Sequence, residues 1–507
     1  MGFVGVKIAD RSRIFTTMTN VEIAIIGAGF AGLGAAIRLK QSGRNSFVIF
    51  ERAAEVGGTW RDNVYPGCAC DVPSHLYSFS FAPNPNWSRK FSPQPEILDY
   101  LKNVVQQFDL GAKIQYNTEI IRTEFSEETG RWTLTDRAGN VTTARVVIGA
   151  IGPLNRPSVP KLPGIESFAG QVFHSSEWDT SAALAGKRVV VLGTGASAIQ
   201  IIPAITPVVE HLTVFQRTAP YVMPRRDAAL SAGVRGLFNK IPALRQTYRT
   251  GIYWTKELGG LSFIGNKTMR RIATFIARKH REDAIKDPAL RQKATPAYEL
   301  GCKRVLVSDD YFPALTRPNV SLVTDAIDRV TPTSILDKAG QEHPADAIIL
   351  STGFVAADII CDLHITGRSG RVLLDEWAKN GPEAHYGITV SGYPNMLFLV
   401  GPNTGLGHTS IVHMIESQMN YVLSYLDLLD KVGPSQSRPD AFLDVKHEAQ
   451  TAYNLDIQER MKTTVWASGC QSWYMNEQGK NTTLWPDLTV TYRKATRQVN
   501  PEEYEVG

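Results

Sequence analysis

This chain of 507 residues has few cysteines, no long apolar run and no strong excess of either charge. Five cysteines, a small and odd number, argue against a disulfide framework and favour a reducing, cytoplasmic compartment. No apolar run reaches the roughly 18 residues that a membrane-spanning helix requires. The net charge of +5 is small for this length, so the sequence does not indicate a nucleic-acid-binding protein.

The N-terminal residues 1–19 lack the apolar segment and the cleavage pattern of a signal peptide. We expect a disordered tail there, in which Met18 is an alternative start. The rest of the chain is too long for a single hydrophobic core, and its length predicts two or three domains.

The first glycine-rich motif follows an apolar, β-branched run at residues 21–26, which is typical of a buried parallel strand. It begins with Gly27, Gly29 and Gly32 in a G-x-G-x-x-G pattern and leads into a predicted helix and a second strand that ends at Glu51. The glycines permit a tight turn, close approach of a pyrophosphate, and close helix packing, while the acid accepts hydrogen bonds from ribose. This order predicts a dinucleotide site, although a tight turn without a ligand is the alternative.

The second glycine-rich motif follows residues 187–192 and begins with Gly193 and Gly195, with Ala198 in place of the third glycine. The next predicted strand ends at Gln216 and Arg217, where the first motif has its acid. A neutral side chain removes repulsion against a 2′-phosphate, and an arginine can pair with that phosphate. The motif therefore favours NADPH over NADH, unless the arginine is a solvated surface charge.

Residues 235–293 are strongly basic, with 14 lysines and arginines against 4 acidic residues, a local net charge of +10. Within them, residues 268–282 place Met269, Ile272, Phe275 and Ile276 on one face of a predicted helix. We predict a helical insertion in the second nucleotide domain with a solvated basic face. The alternatives are that this basic face attracts anionic NADPH or an acidic membrane surface.

A third motif lies between the two glycine-rich motifs and follows the pattern F-x-G-x-x-x-H-x-x-x-W-D. Its fixed positions are Phe168, Gly170, His174, Trp178 and Asp179. Together with the loop Tyr65-Pro-Gly67-x-x-x-Asp71 and the pair Lys303-Arg304, this motif resembles the type I Baeyer–Villiger monooxygenases, which are class B flavoprotein monooxygenases. The resemblance covers nearly the whole chain from Val21 onward.

The resemblance implies an α/β fold with two Rossmann-like domains, one for FAD and one for NADP, with the helical insertion in the NADP domain. The expected segments, in chain order, are a tail (1–19), the first part of the FAD domain (20–152), the linker and first part of the NADP domain (153–225), the insertion (226–296), the second part of the NADP domain (297–354) and the second part of the FAD domain (355–507).

The same resemblance implies a cytoplasmic enzyme that uses FAD, NADPH and O2 to convert ketones to esters or lactones through a flavin C4a-peroxide. Arg304 would give the peroxide anion a fixed positive partner, because arginine keeps its proton. Asp71 would hold that guanidinium and let it move, and His174 would orient the linker that couples domain movement to catalysis. Structural roles for these three residues are the alternatives.

The resemblance also assigns cofactor contacts and no metal site. The expected FAD contacts are Gly27, Gly29, Phe30, Ala31, Gly32, Glu51, Arg52, Gly58, Thr59, Trp60, Asp71 and Tyr77. The expected NADP contacts are Gly193, Thr194, Gly195, Ser197, Ala198, Gln200, Arg217, Thr218 and Lys303.

Three other functions compete with this interpretation. A flavin monooxygenase that oxygenates nitrogen or sulfur in small molecules is the nearest alternative. A disulfide reductase is disfavoured because the spacing of Cys68 and Cys70 is not C-x-x-x-x-C, and a non-enzymatic sensor is disfavoured because Arg304 and Asp71 are present. The C-terminal aromatic residues Trp473, Tyr474 and Trp485 either line a substrate entrance or pack as core.

Overall fold

The computed structural model describes residues 19–355, 360, 363–433, 440–469, 474–476 and 479–507. Except for Thr19, the predicted N-terminal tail therefore lies outside the described residues, as do Cys361, Cys470 and Trp473. Within the described residues, none of the helices combines the length and the apolar character needed to cross a bilayer.

The described residues contain 20 strands. In chain order they are β1 (Thr19–Ile26), β2 (Phe47–Phe50), β3 (Ile114–Gln115), β4 (Ile120–Ser126), β5 (Arg131–Asp136), β6 (Val141–Gly149), β7 (Gln171–His174), β8 (Arg188–Leu192), β9 (His211–Phe215), β10 (Val222–Met223), β11 (Leu306–Val307), β12 (Val320–Val323), β13 (Ile327–Val330), β14 (Ser334–Asp337), β15 (Glu342–Pro344), β16 (Ala347–Leu350), β17 (His364–Thr366), β18 (Met396–Phe398), β19 (Leu443–Val445) and β20 (Tyr504–Val506).

The helices include two that follow the glycine-rich motifs and a group in the basic region. In chain order they are α1 (Phe30–Gln41), α2 (Thr59–Asp62), α3 (Gln94–Gln107), α4 (Ala198–Ile205), α5 (Ala232–Lys240), α6 (Pro242–Gly260), α7 (Lys267–Ala284), α8 (Pro288–Lys293), α9 (Tyr311–Leu315), α10 (Leu373–Asn380), α11 (Ile411–Val432), α12 (His447–Met461) and α13 (Thr489–Ala495).

The larger sheet contains the strand of the first glycine-rich motif at its centre. Its order is β17-β4-β5-β6-β1-β2-β3, and β18 also pairs with β6. Strand β1 is parallel to both β2 and β6, whereas β4 and β5 form an antiparallel hairpin that continues into β6. Because β17 and β18 come from the second half of the chain, both halves build this sheet.

The second sheet is parallel and has the order β12-β9-β8-β16-β7. Strand β8 enters the second glycine-rich motif, and β9 ends just before Gln216. Strand β7 belongs to the third motif and is an edge strand that pairs His174 with Leu350. The mixed α/β architecture with two nucleotide-type sheets agrees with the predicted fold class.

Helices α5 to α8 lie between β10 and β11, two short strands that pair in parallel. Helix α7 starts after Asn266, whose side chain caps Met269 N at 3.0 Å, and it contains the predicted apolar face. Ile272 and Phe275 on that face are 49% and 55% exposed, whereas Arg281 on another face is buried. The periodicity of the sequence therefore identified which residues share a face of α7. It did not show whether that face is buried, and Ile272 and Phe275 in fact point to solvent.

Candidate active site

A cavity of about 1460 Å³ is lined by both glycine-rich motifs and by loops from both sheets. Ligands of open α/β sheets bind beyond the carboxyl ends of the strands, and β1 and β8 end at this cavity. If the predicted cofactor contacts are correct, those residues should therefore line this cavity.

The first glycine-rich motif has the geometry of a nucleotide cradle. Gly27 has a φ of +105°, and a Cβ atom there would lie 2.5 Å from the carbonyl oxygen of Ala150. A Cβ on Gly32 would lie 1.8 Å from the carbonyl oxygen of Gly27, so helix and strand approach too closely for any side chain. A Cβ on Gly29 would meet only Gly58, at 3.8 Å, which leaves space on the cavity side. This arrangement fits the pyrophosphate of FAD.

The second motif repeats this geometry on the other sheet. Gly193 has a φ of +109°, and a Cβ atom there would lie 2.4 Å from the carbonyl oxygen of Ser351. A Cβ on Gly195 would meet no protein atom within 4 Å. Since Gly195 also lines the cavity, the space beside it fits a second nucleotide.

Glu51 is ionically paired within the protein, which the sequence did not predict. The Glu51 side chain is buried, accepts a hydrogen bond from Ala28 N at 2.9 Å and lies 2.8 Å from Arg61 Nη1. Arg61 is in α2 and lines the same cavity. No local sequence pattern links this arginine to an acid ten positions earlier.

Two cations share the space at the end of β9. Lys303 Nζ lies 3.4 Å from Thr218 Oγ1, and Arg217 is exposed and lines the cavity. Burial lowers the pKa of Lys303, and the positive charge of Arg217 lowers it further. Gln216 is buried and donates its amide to Lys293 O at 2.8 Å. An anionic group such as a 2′-phosphate would relieve the repulsion between the two cations.

Asp71 and Arg304 form an ion pair across the cavity, although 233 positions separate them. Arg304 donates from Nε at 3.2 Å and also from Nη2 to the same carboxylate oxygen, Asp71 Oδ2. The charge of Asp71 raises the pKa of Arg304, and this effect outweighs burial, which lowers it. Burial raises the pKa of Asp71, but the charge and hydrogen bonds of Arg304 bring it below its usual range. Both side chains are therefore ionised.

Gln200, a predicted NADP contact, lines the cavity and also binds the loop that leads to Asp71. Its Oε1 accepts hydrogen bonds from Tyr65 Oη at 3.1 Å and Ala69 N at 3.2 Å, and its Nε2 donates to Ala69 O at 2.9 Å. Gly67 has a φ of +81° and packs directly against the backbone of Gln200. The polar atoms of this side chain are therefore used to hold the loop that leads to Asp71.

The third motif lies outside the cavity lining. Its histidine is buried, accepts from Ser176 N at 3.2 Å through Nδ1, and contacts the ring of Phe354 edge-on. Trp178 packs edge-on against Phe173 at 5.0 Å, and a Cβ on Gly170 would lie 2.3 Å from Asp346 O. Phe168 packs against the core of the second sheet, and Asp179 accepts from Ser181 N at 2.8 Å. These contacts are within the second sheet and its edge.

The cavity brings together most of the predicted cofactor contacts. Those that line it on the FAD side are Gly27, Gly29, Phe30, Ala31, Glu51, Arg52, Gly58, Thr59, Trp60, Asp71 and Tyr77. Those that line it on the NADP side are Gly193, Thr194, Gly195, Ser197, Gln200, Arg217, Thr218 and Lys303. Gly32 and Ala198 do not line the cavity, because both pack helices against their own sheets.

Cys68 and Cys70 are buried free thiols, and burial raises the pKa of Cys68 to about 11. Tyr474 and Trp485 are buried in the core that also contains Cys302, which favours packing over a substrate entrance. Among the described residues, no three His, Cys, Asp or Glu side chains could hold a metal ion.

Comparisons with known proteins find similarity over nearly the whole chain. Residues 20–233 match the family model described as flavin-binding monooxygenase-like. A Baeyer-Villiger monooxygenase of Streptomyces coelicolor is 47% identical over 488 residues, which cover 96% of this chain and 93% of that protein. The structure of cyclohexanone monooxygenase from Rhodococcus sp. Phi1 bound to NADP+ is 27% identical, with a TM-score of 0.84 over 97% of this chain and 99% of that chain. A complex of OTEMO with FAD and NADP is 27% identical, with a TM-score of 0.85 over 97% and 100%.

Two glycine substitutions test the cradles separately. We expect Gly29→Ala to fold normally but to lose FAD, because its methyl group meets little protein and enters the space for the pyrophosphate. We expect Gly195→Ala to retain FAD and to weaken NADPH binding at least tenfold, for the same reason. Flavin absorbance, nucleotide titration and melting temperature measure these effects. Gly111→Ala, where a Cβ meets nothing within 4 Å, is the control. Normal FAD content in Gly29→Ala would contradict the assignment.

Proposed function

Because the chain belongs to the Baeyer–Villiger monooxygenase family, it is an FAD- and NADPH-dependent flavin monooxygenase, and we propose that it converts ketones to esters or lactones with O2. The observation that carries this proposal is the ion pair of Asp71 and Arg304 in a cavity that both glycine-rich motifs line. The first glycine-rich motif would hold FAD, whose chemistry is the activation of O2, and the second would hold NADPH, whose chemistry is the supply of a hydride.

Arg304 is the residue that we assign to the reacting oxygen. Attack on a ketone carbonyl requires an anionic oxygen nucleophile, and a cavity with little water stabilises an anion only beside a fixed positive charge. The guanidinium stays protonated at every working pH, because Asp71 raises the pKa of Arg304 further. It can therefore stabilise negative charge on the nucleophile and on the carbonyl oxygen without losing its proton.

Asp71 positions that guanidinium. It accepts two hydrogen bonds from one edge of Arg304, through Nε and Nη2, which leaves the other terminal nitrogen for the reacting atoms. A carboxylate beside an arginine also limits how far the side chain turns when substrate enters. The pair therefore orients the positive charge toward the cavity.

The domain limits predicted from the sequence remain part of this proposal. We assign residues 20–152 and 355–507 to FAD, and 153–225 and 297–354 to NADP, with 226–296 as the helical insertion. The third motif, on the edge strand β7, would transmit movement of the NADP domain. A cytoplasmic location also stays a prediction.

Product analysis tests the proposed reaction. We expect the purified, FAD-loaded protein to oxidise NADPH faster with cyclic, linear or aryl ketones and to form products that are one oxygen atom heavier than the ketone. Mass spectrometry with ¹⁸O2 should show one labelled oxygen in each ester or lactone. Oxidation of sulfides or amines with no reaction of any ketone would instead identify a heteroatom monooxygenase.

The choice of nucleotide tests the cations at the end of β9. Arg217→Ala should lower kcat/KM for NADPH by about 10- to 100-fold, because a charge-assisted hydrogen bond to the 2′-phosphate is lost. The kcat/KM for NADH should change little, since NADH has no 2′-phosphate. Steady-state kinetics with both nucleotides measure the ratio, and Arg271→Ala, on the exposed side of α7, is the control. Equal losses with NADPH and NADH would refute this role.

A further inference from the structure

The short helix α2 holds Arg61 beside the first glycine-rich motif. Gly57 and Gly58, which precede α2, have φ angles of +127° and +51°. Gly57 N donates to Ala28 O at 3.0 Å, which attaches this turn to the motif. A Cβ atom on Gly57 would lie 3.1 Å from Cβ of Arg61, so the turn brings the arginine in closely. The backbone therefore determines where Arg61 lies.

The guanidinium of Arg61 is fixed by two acids and a carbonyl group. Nε and Nη2 donate to the two carboxylate oxygens of Asp62 at 2.7 and 3.1 Å. Nη1 donates to Glu51 Oε1 at 2.8 Å and to Glu55 O at 2.9 Å. Burial lowers the pKa of Arg61, but Asp62 and Glu51 raise it above its ordinary value. The group is therefore charged and held in one orientation.

One N–H group of Arg61 has no partner in the protein. A guanidinium has five N–H groups, and the contacts with Asp62, Glu51 and Glu55 use four of them. The fifth is on Nη2, which has no second acceptor among the residues that the structure describes. Because Arg61 lines the cavity, this donor is available to a bound cofactor.

Glu51 likewise has one acceptor position left. A carboxylate accepts about four hydrogen bonds. Ala28 N donates to Oε2 of Glu51 at 2.9 Å, whereas Ala53 N, at 3.0 Å, and Arg61 both donate to Oε1. Within the described part of the chain, the remaining position is on Oε2, and Glu51 also lines the cavity. Glu51 can therefore accept a bond from one ribose hydroxyl, and the second hydroxyl needs another partner.

We propose that Arg61 is an FAD-binding residue, which forms with Glu51 a site for the two hydroxyl groups of the adenosine ribose. One hydroxyl donates to Glu51 Oε2, and the neighbouring hydroxyl accepts from Arg61 Nη2. A vicinal diol matches one acceptor beside one donor, since each hydroxyl can do either. Asp62 and Glu55 keep the guanidinium in the orientation that this contact requires. The inference depends on FAD binding and not on the substrate that is oxidised.

The rate at which the FAD-loaded protein releases FAD tests the inference. Arg61→Met should release FAD about 10- to 100-fold faster than the wild type, because a charge-assisted hydrogen bond to the ribose is lost. The recovery of flavin fluorescence after dilution measures this rate. Arg371→Met is the matched control, since Arg371 is also bonded through Nε and Nη2 to a carboxylate, that of Glu376, but does not line the cavity. Its release rate should equal that of the wild type.

A modified cofactor separates contact with the ribose from support of the fold. An FAD analogue without the two hydroxyls of the adenosine ribose is loaded by exchange against excess cofactor. We expect the wild type to release this analogue about 100-fold faster than FAD, because two hydrogen bonds to charged groups are absent. In Arg61→Met this ratio should fall by about tenfold, since only the bond to Glu51 is left to lose. A purely structural residue would speed the release of both cofactors equally and leave the ratio unchanged.

The outcomes also separate this inference from the proposed function. A wild type that forms no ester would refute the proposed function, whereas both release experiments would still decide the role of Arg61. FAD release from Arg61→Met at the wild-type rate, or an unchanged ratio between FAD and the analogue, would overturn the inference. If Arg61→Met does not fold, Arg61→Lys decides, because one ammonium nitrogen cannot bond Asp62, Glu51 and the ribose in the same way. A ratio in Arg61→Lys equal to that of the wild type would contradict the inference.

Discussion

The ion pair between Asp71 and Arg304 is the constraint on which the rest of the site depends. Two charged side chains in a partly buried cavity are stable only if their geometry is held closely, since each would otherwise lose its compensation. The two residues lie 233 positions apart, so the loops that carry them must be fixed by tertiary contacts. Gln200 holds the first loop through three hydrogen bonds to Tyr65 and Ala69, and this contact joins the two nucleotide-binding regions.

The two glycine cradles line the same cavity as this pair. Gly27 and Gly193 each turn the chain against the end of a neighbouring strand, at Ala150 and Ser351, so both nucleotides would enter one cavity. Helix α6 is attached to the loop after Asp71 by Arg249 and to the start of α13 by Glu257. The basic composition of the insertion therefore has a structural explanation in part, since some of its cations are turned inward.

Local patterns predicted the parts of the site whose causes are local. The turn at Gly27 needs a positive φ, and a glycine motif after a buried strand shows that need in the sequence. Asp71 and Arg304 were predicted only by resemblance, because no spacing rule joins them. Arg61 was missed, since a basic residue in a helix has the same sequence pattern whether it faces solvent or a carboxylate. For Ile272 and Phe275, periodicity likewise identified a face but not its exposure.

A double-mutant cycle on Asp71 and Arg304 tests the central claim most directly. Asp71→Asn, Arg304→Gln and the double variant are compared in FAD-loaded form by the ¹⁸O-labelled ester formed per NADPH consumed. If Asp71 acts through Arg304, the account predicts that Asp71→Asn causes a clear loss alone and little further loss in the Arg304→Gln background. Losses that multiply would show that the two residues act independently and would contradict the account.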